Sequence, residues 1–522
     1  MSQQNHKVLN AALLLVTVNV VSKTIGFLRE VFIAAQFGTS SSADIFVAVS
    51  TVPNLLLTLT GGALAAALIP IIIRLRFQGE DVRLKKLVGS VFSLTGLIMA
   101  VFALLLYIFI GDVADYYVVG FSPEAKQLTI EMFKIILPAL VGIGLVSFFA
   151  SVLNAYEHFF IPSIGPIFYS TGIIIAAVFF ADTYGVKSLA VGMTAGVAVE
   201  FALGLTVMLK RGISFSPRIF LNEDLKEFGV LIVPIFISLG VFQLNTIVDR
   251  MFASTLQEGS LAALSYAYRL TQLPLSLFVG SMVVPLFPMF SKKISASDMD
   301  GLKELLAGSY HLLGILLLPV IGGFIVLAEP IIALLFQRGE FNAQAVELTG
   351  LALATYSLMI LPFALRDVIT RVMYSMKDTW TPVINSVIMV VLNVTLMAIL
   401  VPRFGMIGIT AAVAISTTFA FVRLRRKLVQ KIGAVESEAK GIWGTIIVNA
   451  AVFTAAAWLL YRGLMLLWPK PLGLDLWLRT GVSFSLSGVL YLLLTLRIKT
   501  PEVEWFKSRL GLDRLSFQRE GK

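Results

Sequence analysis

The sequence predicts an all-α polytopic membrane protein with fourteen transmembrane helices, arranged as two pseudo-symmetric six-helix lobes around a central cavity plus two C-terminal helices. Three observations predict it. The chain is 57% hydrophobic and 14% charged, with a mean hydropathy of +0.89, whereas a soluble globule carries roughly 25% charged residues. Its apolar runs are continuous rather than alternating, which excludes a transmembrane barrel; at about 20 residues per span, 522 residues hold a dozen or more. Finally, several segments recur at a period of roughly 220 residues, which means two structural halves rather than a solenoid.

Apolar runs bounded by charge, Gly or Pro place the spans at 8–36, 42–73, 87–110, 126–155, 162–181, 187–209, 225–256, 261–290, 303–328, 344–375, 381–401, 405–422, 442–465 and 475–496. The first run lacks a cleavage signal before its charged residues and reads as a retained span. The stretch from Pro330 to Phe336 is too short to cross and lies at the interface or re-enters. Connecting loops alternate in charge. QFGTSSSAD, ADTYG and STLQEGS contain few cations, while the loops with Arg74, Arg76, Arg83, Lys85 and Lys86, with Lys210, Arg211, Arg218 and Lys226, with Lys292, Lys293 and Lys303, and with Arg423, Arg425, Arg426, Lys427 and Lys431 are basic. The positive-inside rule then puts both termini in the cytoplasm and favours an even number of spans.

The repeat shows in NAYEHFFIPSIGPIFYSTGII from Asn154 against MYSMKDTWTPVINSVIMVVLN from Met373, and in TYGVKSLAVGMTAGVAVE from Thr183 against RFGMIGITAAVAISTTFA from Arg403. Equivalent helices lie six spans apart, so the copies keep one orientation and a substrate site is expected at their interface. The expected division is 1–215 and 222–435 for the lobes, 440–498 for the terminal pair and 499–522 for a cytoplasmic tail.

The stretch SKTIGFLREVFIAAQFGTSSSAD from Ser22 places Lys23, Arg29 and Glu30 inside an apolar helix. Ionised groups at bilayer depth face a bundle interior or a wet cavity and mark a transport path. Two cations and one anion leave a positive surplus, for which an anionic substrate is the simplest partner. The matching spans of the second half carry Asp249, Arg250 and Arg269. A guanidinium fork suits phosphate or pyrophosphate oxygens, so Lys23, Arg29, Arg250 and Arg269 are the expected anion contacts. The alternatives are that Lys23 snorkels to the interface with Arg29 and Glu30 near headgroups, that Asp249 and Arg250 satisfy each other, and that Arg269 caps a helix. Glu30, Asp249 and Asp378 are the carboxylates available for gating or ion coupling. Asp367 and Arg371, four apart, read as a structural pair; Glu200 reads as a neutral acid or a proton or cation site.

Other classes are excluded. The chain has no cysteine, its histidines (His6, His158 and His311) are scattered, and it has no phosphate-binding glycine loop and no nucleophile triad. No catalytic residues, metal or cofactor are expected. The protein reads as a transporter rather than an enzyme, and its energy comes from membrane potential or an Na+ or H+ gradient, if any is used. The net charge of +10 lies largely in short loops, where it sets orientation and meets anionic headgroups rather than nucleic acid.

Four segments carry a resemblance: SKTIGFLREVFIAAQFGTSSSADIF from Ser22, VPNLLLTLTGGAL from Val52, NTIVDRMFASTLQEGSLAALSYAYRL from Asn245 and LLFQRGEF from Leu334. On these the chain resembles the MurJ/MviN family of lipid II flippases, of the multidrug/oligosaccharidyl-lipid/polysaccharide exporter superfamily. The resemblance implies alternating-access movement of an undecaprenyl-pyrophosphate-linked peptidoglycan precursor from the inner to the outer leaflet of the bacterial cytoplasmic membrane. Its implied partners are this lipid-linked cargo, membrane lipids and cell-wall synthesis proteins, with the protein a monomer. It further implies cavity contacts at Lys23, Arg29 and Arg269, an acidic cavity residue at Asp44, and a terminal helix pair forming a groove for the lipid tail. The chain departs from the family at Leu57, Thr58 and Gly61, where charged residues are familiar, and at Lys23, where Arg is. That departure keeps open another undecaprenyl-linked glycan (teichuronic, capsular or exopolysaccharide) as cargo; a cation-coupled drug exporter fits the cation surplus poorly.

Overall fold

The computed structural model describes residues 3–213, 215–435, 440–467, 473–498, 503–504 and 507–508; the side chains of 3–16, 241–242, 283–284, 440 and 474 are outside the description. All regular elements among the described residues are helical. In chain order these are α1 (Gln3–Phe37), α2 (Ser41–Phe77), α3 (Asp81–Ile108), α4 (Ile110–Tyr117), α5 (Pro123–Ala155), α6 (Phe160–Phe179), α7 (Ala181–Tyr184), α8 (Lys187–Lys210), α9 (Glu223–Ser254) and α10 (Ser260–Pro274). After a π turn at Leu275–Val279 come α11 (Gly280–Ser295), α12 (Met299–Val326), α13 (Ala328–Phe336) and α14 (Ala343–Tyr356). A 3₁₀ turn at Ser357–Met359 leads to α15 (Ile360–Ser375), α16 (Trp380–Phe404), α17 (Met406–Ile432), α18 (Lys440–Leu467) and α19 (Leu474–Thr495).

Twelve of these helical stretches, with α14 and α15 joined as one, are long and apolar enough to cross a membrane, and α10 with α11, bent by 40°, adds a thirteenth if read as one span. The bend falls between Met282 and Pro285, where Pro285 has no backbone N–H to donate. The remaining expected span, 8–36, coincides with α1, and the side chains of its first turns lie outside the described residues. Most of the expected tail, 499–522, also lies outside them.

Helix starts follow capping chemistry. Ser122 accepts from the Ala125 amide at 3.2 Å just before Pro123, Asn222 accepts from Leu225 at 3.0 Å, and Asp298 accepts from Gly301 at 2.8 Å. Among the described residues twelve adopt positive φ, and ten form five pairs about 220 residues apart: Gly38 with Gly259, Gly79 with Ser297, Glu157 with Lys377, Gly185 with Gly405, and Gly212 with Gly433.

The chain divides into two compact units, Met1–Ala262 with Phe336–Ala345, and Ala263–Leu335 with Val346–Lys522. In the first, Leu64, Leu68 and Ile72 of α2 meet Leu87 and Val91 of α3, Phe148 and Phe149 of α5, and Met208 of α8. The helix α9 belongs to this unit. Arg74 grips Glu227 through two 2.7 Å bonds, and Arg83 holds the buried Asp224 at 2.7 and 3.0 Å. In the second unit, Phe290, Leu306, Leu313, Val368, Val372 and Leu424 build one core, and Ile446, Phe453 and Tyr491 of the terminal pair pack with Ile315 of α12. Lipid offers helices little hydrophobic driving force, so such contacts hold by close packing and interhelical hydrogen bonds.

Candidate functional site

The charged stretch of α1 lies against α6. Nε and Nη2 of Arg29 donate to one oxygen of Glu30 at 2.9 and 2.7 Å, and Nη1 reaches the Ser170 hydroxyl at 3.5 Å. The guanidinium lies 5.4 Å from the centroid of the Tyr169 ring. Side-chain exposure is only 11% for Arg29 and 6% for Glu30, so the pair is enclosed by protein rather than spread on an outer surface. Sequence neighbours on a helix point in different directions, and this pair forms because the long arginine wraps back. Gly26 contributes by leaving the Ser170 side of α1 without a side chain. Lys23, two turns earlier, is exposed, so the surplus positive charge of this stretch resides there.

Asp44, near the start of α2, bonds to the turn between α9 and α10. It is 4% exposed, and its carboxylate accepts from the Gly259 and Ala262 amides at 2.7 Å each. It therefore caps the start of α10 across more than two hundred residues of sequence. The neighbouring Ser41 amide donates to Glu258 at 2.7 Å, and the Glu340 amide donates to the Ala35 carbonyl at 2.8 Å. Gly38 and Gly259 both have positive φ, and a Cβ on either would collide with backbone, that of Glu340 or Thr39. Only glycine satisfies the conformation and the clearance together. The α1–α2 turn, residues 258–262 and residues 336–341 are thereby knitted into one knot.

Beside this knot the Tyr117 hydroxyl donates to the Ala48 carbonyl at 3.1 Å. Burial pushes its phenol up to about 12, and the charge of Arg250 pulls the other way. Arg250 keeps a buried Nε without a hydrogen-bond partner among the described residues. Asn245 donates to Asp249 at 3.4 Å, one turn apart on α9. In the second unit Arg269 is half-buried on α10. Asp378 accepts from the Lys431 ammonium at 2.5 Å and from the Thr381 amide at 3.0 Å, so it ties α17 to the start of α16. Asp367 and Arg371 lie 3.9 Å apart, as their spacing predicts.

The structure thus brings Arg29 together with Glu30, Tyr169 and Ser170, and Asp44 together with residues 259–262. Tyr169, Ser170 and Tyr117 were missed. The first two lie in the repeated segment from Asn154, where their polar groups stand out in an apolar helix, but nothing in their spacing pairs them with α1. Among the described residues no cluster of three or more acidic or histidine side chains is placed to hold a metal.

A family model described as "Lipid II flippase MurJ" matches residues 33–472. The chain belongs to the MurJ family of lipid II flippases. A probable lipid II flippase MurJ from Vibrio cholerae serotype O1 is 27% identical over 502 residues, covering 93% of this chain and 94% of its own length. A solved lipid II flippase MurJ in an inward closed conformation superposes with a TM-score of 0.79 at 23% identity, over 95% of this chain and 99% of that one. An inward-facing multidrug resistance MATE transporter of the MOP superfamily gives 0.70 at 13% identity, covering 82% and 99%. The chain shares its fold with both. MurJ membership and the apolar helices make this a multi-pass protein of the bacterial inner membrane.

Proposed function

We propose that the chain carries lipid II, the undecaprenyl-pyrophosphate-linked peptidoglycan precursor, from the inner to the outer leaflet by alternating access. It acts as a transporter, not an enzyme. The observation that carries this reading is the enclosed Arg29 fork in a MurJ-family chain. Its guanidinium is held by a carboxylate, an aromatic face and a hydroxyl, partners that a pyrophosphate can replace or join. Lys23, Arg29, Arg250 and Arg269 are the cargo contacts, and Glu30 is the counter-ion that the pyrophosphate displaces from Arg29. Asp44 acts by closing the knot rather than by touching cargo, and Asp249 is left as the carboxylate for ion coupling.

The repeat halves 1–215 and 222–435 form the two lobes of this cycle; the five pairs of positive-φ residues support that division. The terminal pair, 440–498, takes the polyprenyl tail. Both termini face the cytoplasm, supported by the basic even-to-odd loops. The protein works as a monomer alongside cell-wall synthesis proteins, driven by the membrane potential or an Na+ or H+ gradient.

Complementation of a flippase-depleted cell tests this. Wild type is expected to restore growth, while Arg29→Ala and Arg269→Ala, expressed at normal levels, are not. Growth supported by both variants contradicts the proposal. The second reading, a flippase for another undecaprenyl-linked glycan, is favoured by α2, where Leu57 is 40% exposed and Thr58 is exposed in place of the family's charges. Wild type failing to complement, together with loss of a surface polymer in a deletion strain, selects it.

A further inference from the structure

A groove of about 680 Å3 runs along the membrane-facing side of α6 and α8 in the first unit, away from Arg29. Its floor is backbone. A Cβ at Gly172 or Gly192 would collide with the other's carbonyl, and one at Gly196 would lie 2.7 Å from the Phe168 carbonyl. The helices therefore touch there, leaving a furrow between the side chains above. The α8 wall is apolar and turned outward, with Val191 55% and Val199 45% exposed. From Lys187 to Val199 it rises about 18 Å at 1.5 Å per residue, close to the roughly 15 Å of one leaflet's hydrocarbon. Thr171 apart, the polar side chains that line it lie at one end. There Lys187 meets Glu131 of α5 at 2.5 Å with 45% of its side chain still exposed, and Tyr184 and Ser188 line the mouth.

We propose that this groove holds one acyl chain of a phospholipid whose phosphate sits at Lys187. The length matches a single tail within one leaflet, and Lys187, the one charged side chain lining the groove among the described residues, keeps nearly half of its surface exposed beside Glu131, which suits a phosphate. Membrane-spanning helices meet such lipids at the headgroup level through long cationic side chains. The site is independent of the cargo reading, because neither Arg29 nor any other proposed cargo contact lines it.

The full-length protein in lipid nanodiscs containing a trace of a phospholipid with a photoreactive acyl chain tests this. Label is expected to concentrate on the peptide covering 187–199 and to be lost in Ala195→Trp, which fills the groove from a lipid-facing position. A diacylglycerol probe with the same tail is expected to leave that peptide unlabelled, and Arg29→Ala to keep the label. Val199→Trp, blocking the deep end, serves if Ala195→Trp does not insert. Label spread evenly over all exposed helices, label that survives the blocking variant, or equal labelling by diacylglycerol overturns the proposal.

Discussion

At the scale of single residues, two carboxylates show how position decides role. Glu30 and Asp44 are both almost fully buried, yet Glu30 meets a guanidinium and Asp44 meets two backbone amides. A buried charge needs partners of this kind, since leaving it unsatisfied costs several kcal/mol. Replacing Asp44 by Ala strands the Gly259 and Ala262 amides, a penalty of about 1–3 kcal/mol per unsatisfied buried group. The apparent melting temperature of detergent-purified Asp44→Ala is therefore expected to fall clearly below wild type, with Asp44→Asn in between because one acceptor oxygen remains. An unchanged melting temperature in both would mean that the cap contributes nothing. Neither partnership was legible beforehand. The Arg29–Glu30 pair joins sequence neighbours that an ideal helix separates, and the Asp44 cap depends on a chain return that no local pattern encodes.

At the scale of elements, the residue Asp378 just before α16, paired with Lys431 at the end of α17, supplies a pH-dependent contact. Burial of Asp378 works to raise its carboxyl, but the Lys431 ammonium and the Thr381 amide outweigh it and hold the group down to about 2, against an ordinary value of 3.8. A depressed carboxyl stabilises the fold above its unfolded value and loses that contribution as pH falls through the folded one. The melting-temperature gap between wild type and Asp378→Asn is thus expected to be constant above about pH 5 and to close as pH falls towards about 2. A gap that persists unchanged at the lowest pH contradicts the assignment. Apolar runs placed the spans but put the starts of α5, α9 and α12 two to four residues late, because the capping residues Ser122, Asn222 and Asp298 and the polar first turns lie outside those runs. The positive-φ turns were only half legible. Glycines announce Gly185 and Gly405, whereas Glu157, Ser297 and Lys377 adopt the same conformation without the residue type that advertises it.

At the scale of the whole molecule, hydropathy located the spans because lipid forces every backbone polar group into a helix. The exception is instructive: the run expected at 261–290 is broken by prolines into α10, a π turn and α11, a distinction that hydropathy alone cannot make. The repeat was legible from motifs, but the division into compact units was not. The helix α9 begins the second repeat in sequence and yet packs in the first unit, held by Arg74 and Arg83 through Asp224 and Glu227. Those four residues lie in loops and helix ends whose basic character was read for orientation, and their pairing needed the fold. The proposed exchange replaces Glu30 by the cargo's pyrophosphate at the Arg29 fork. Its most direct test is the amount of purified lipid II retained by the full-length protein in native mass spectrometry. Arg29→Ala is predicted to lose retention and Glu30→Gln to increase it above wild type; equal retention by all three proteins would contradict the claim.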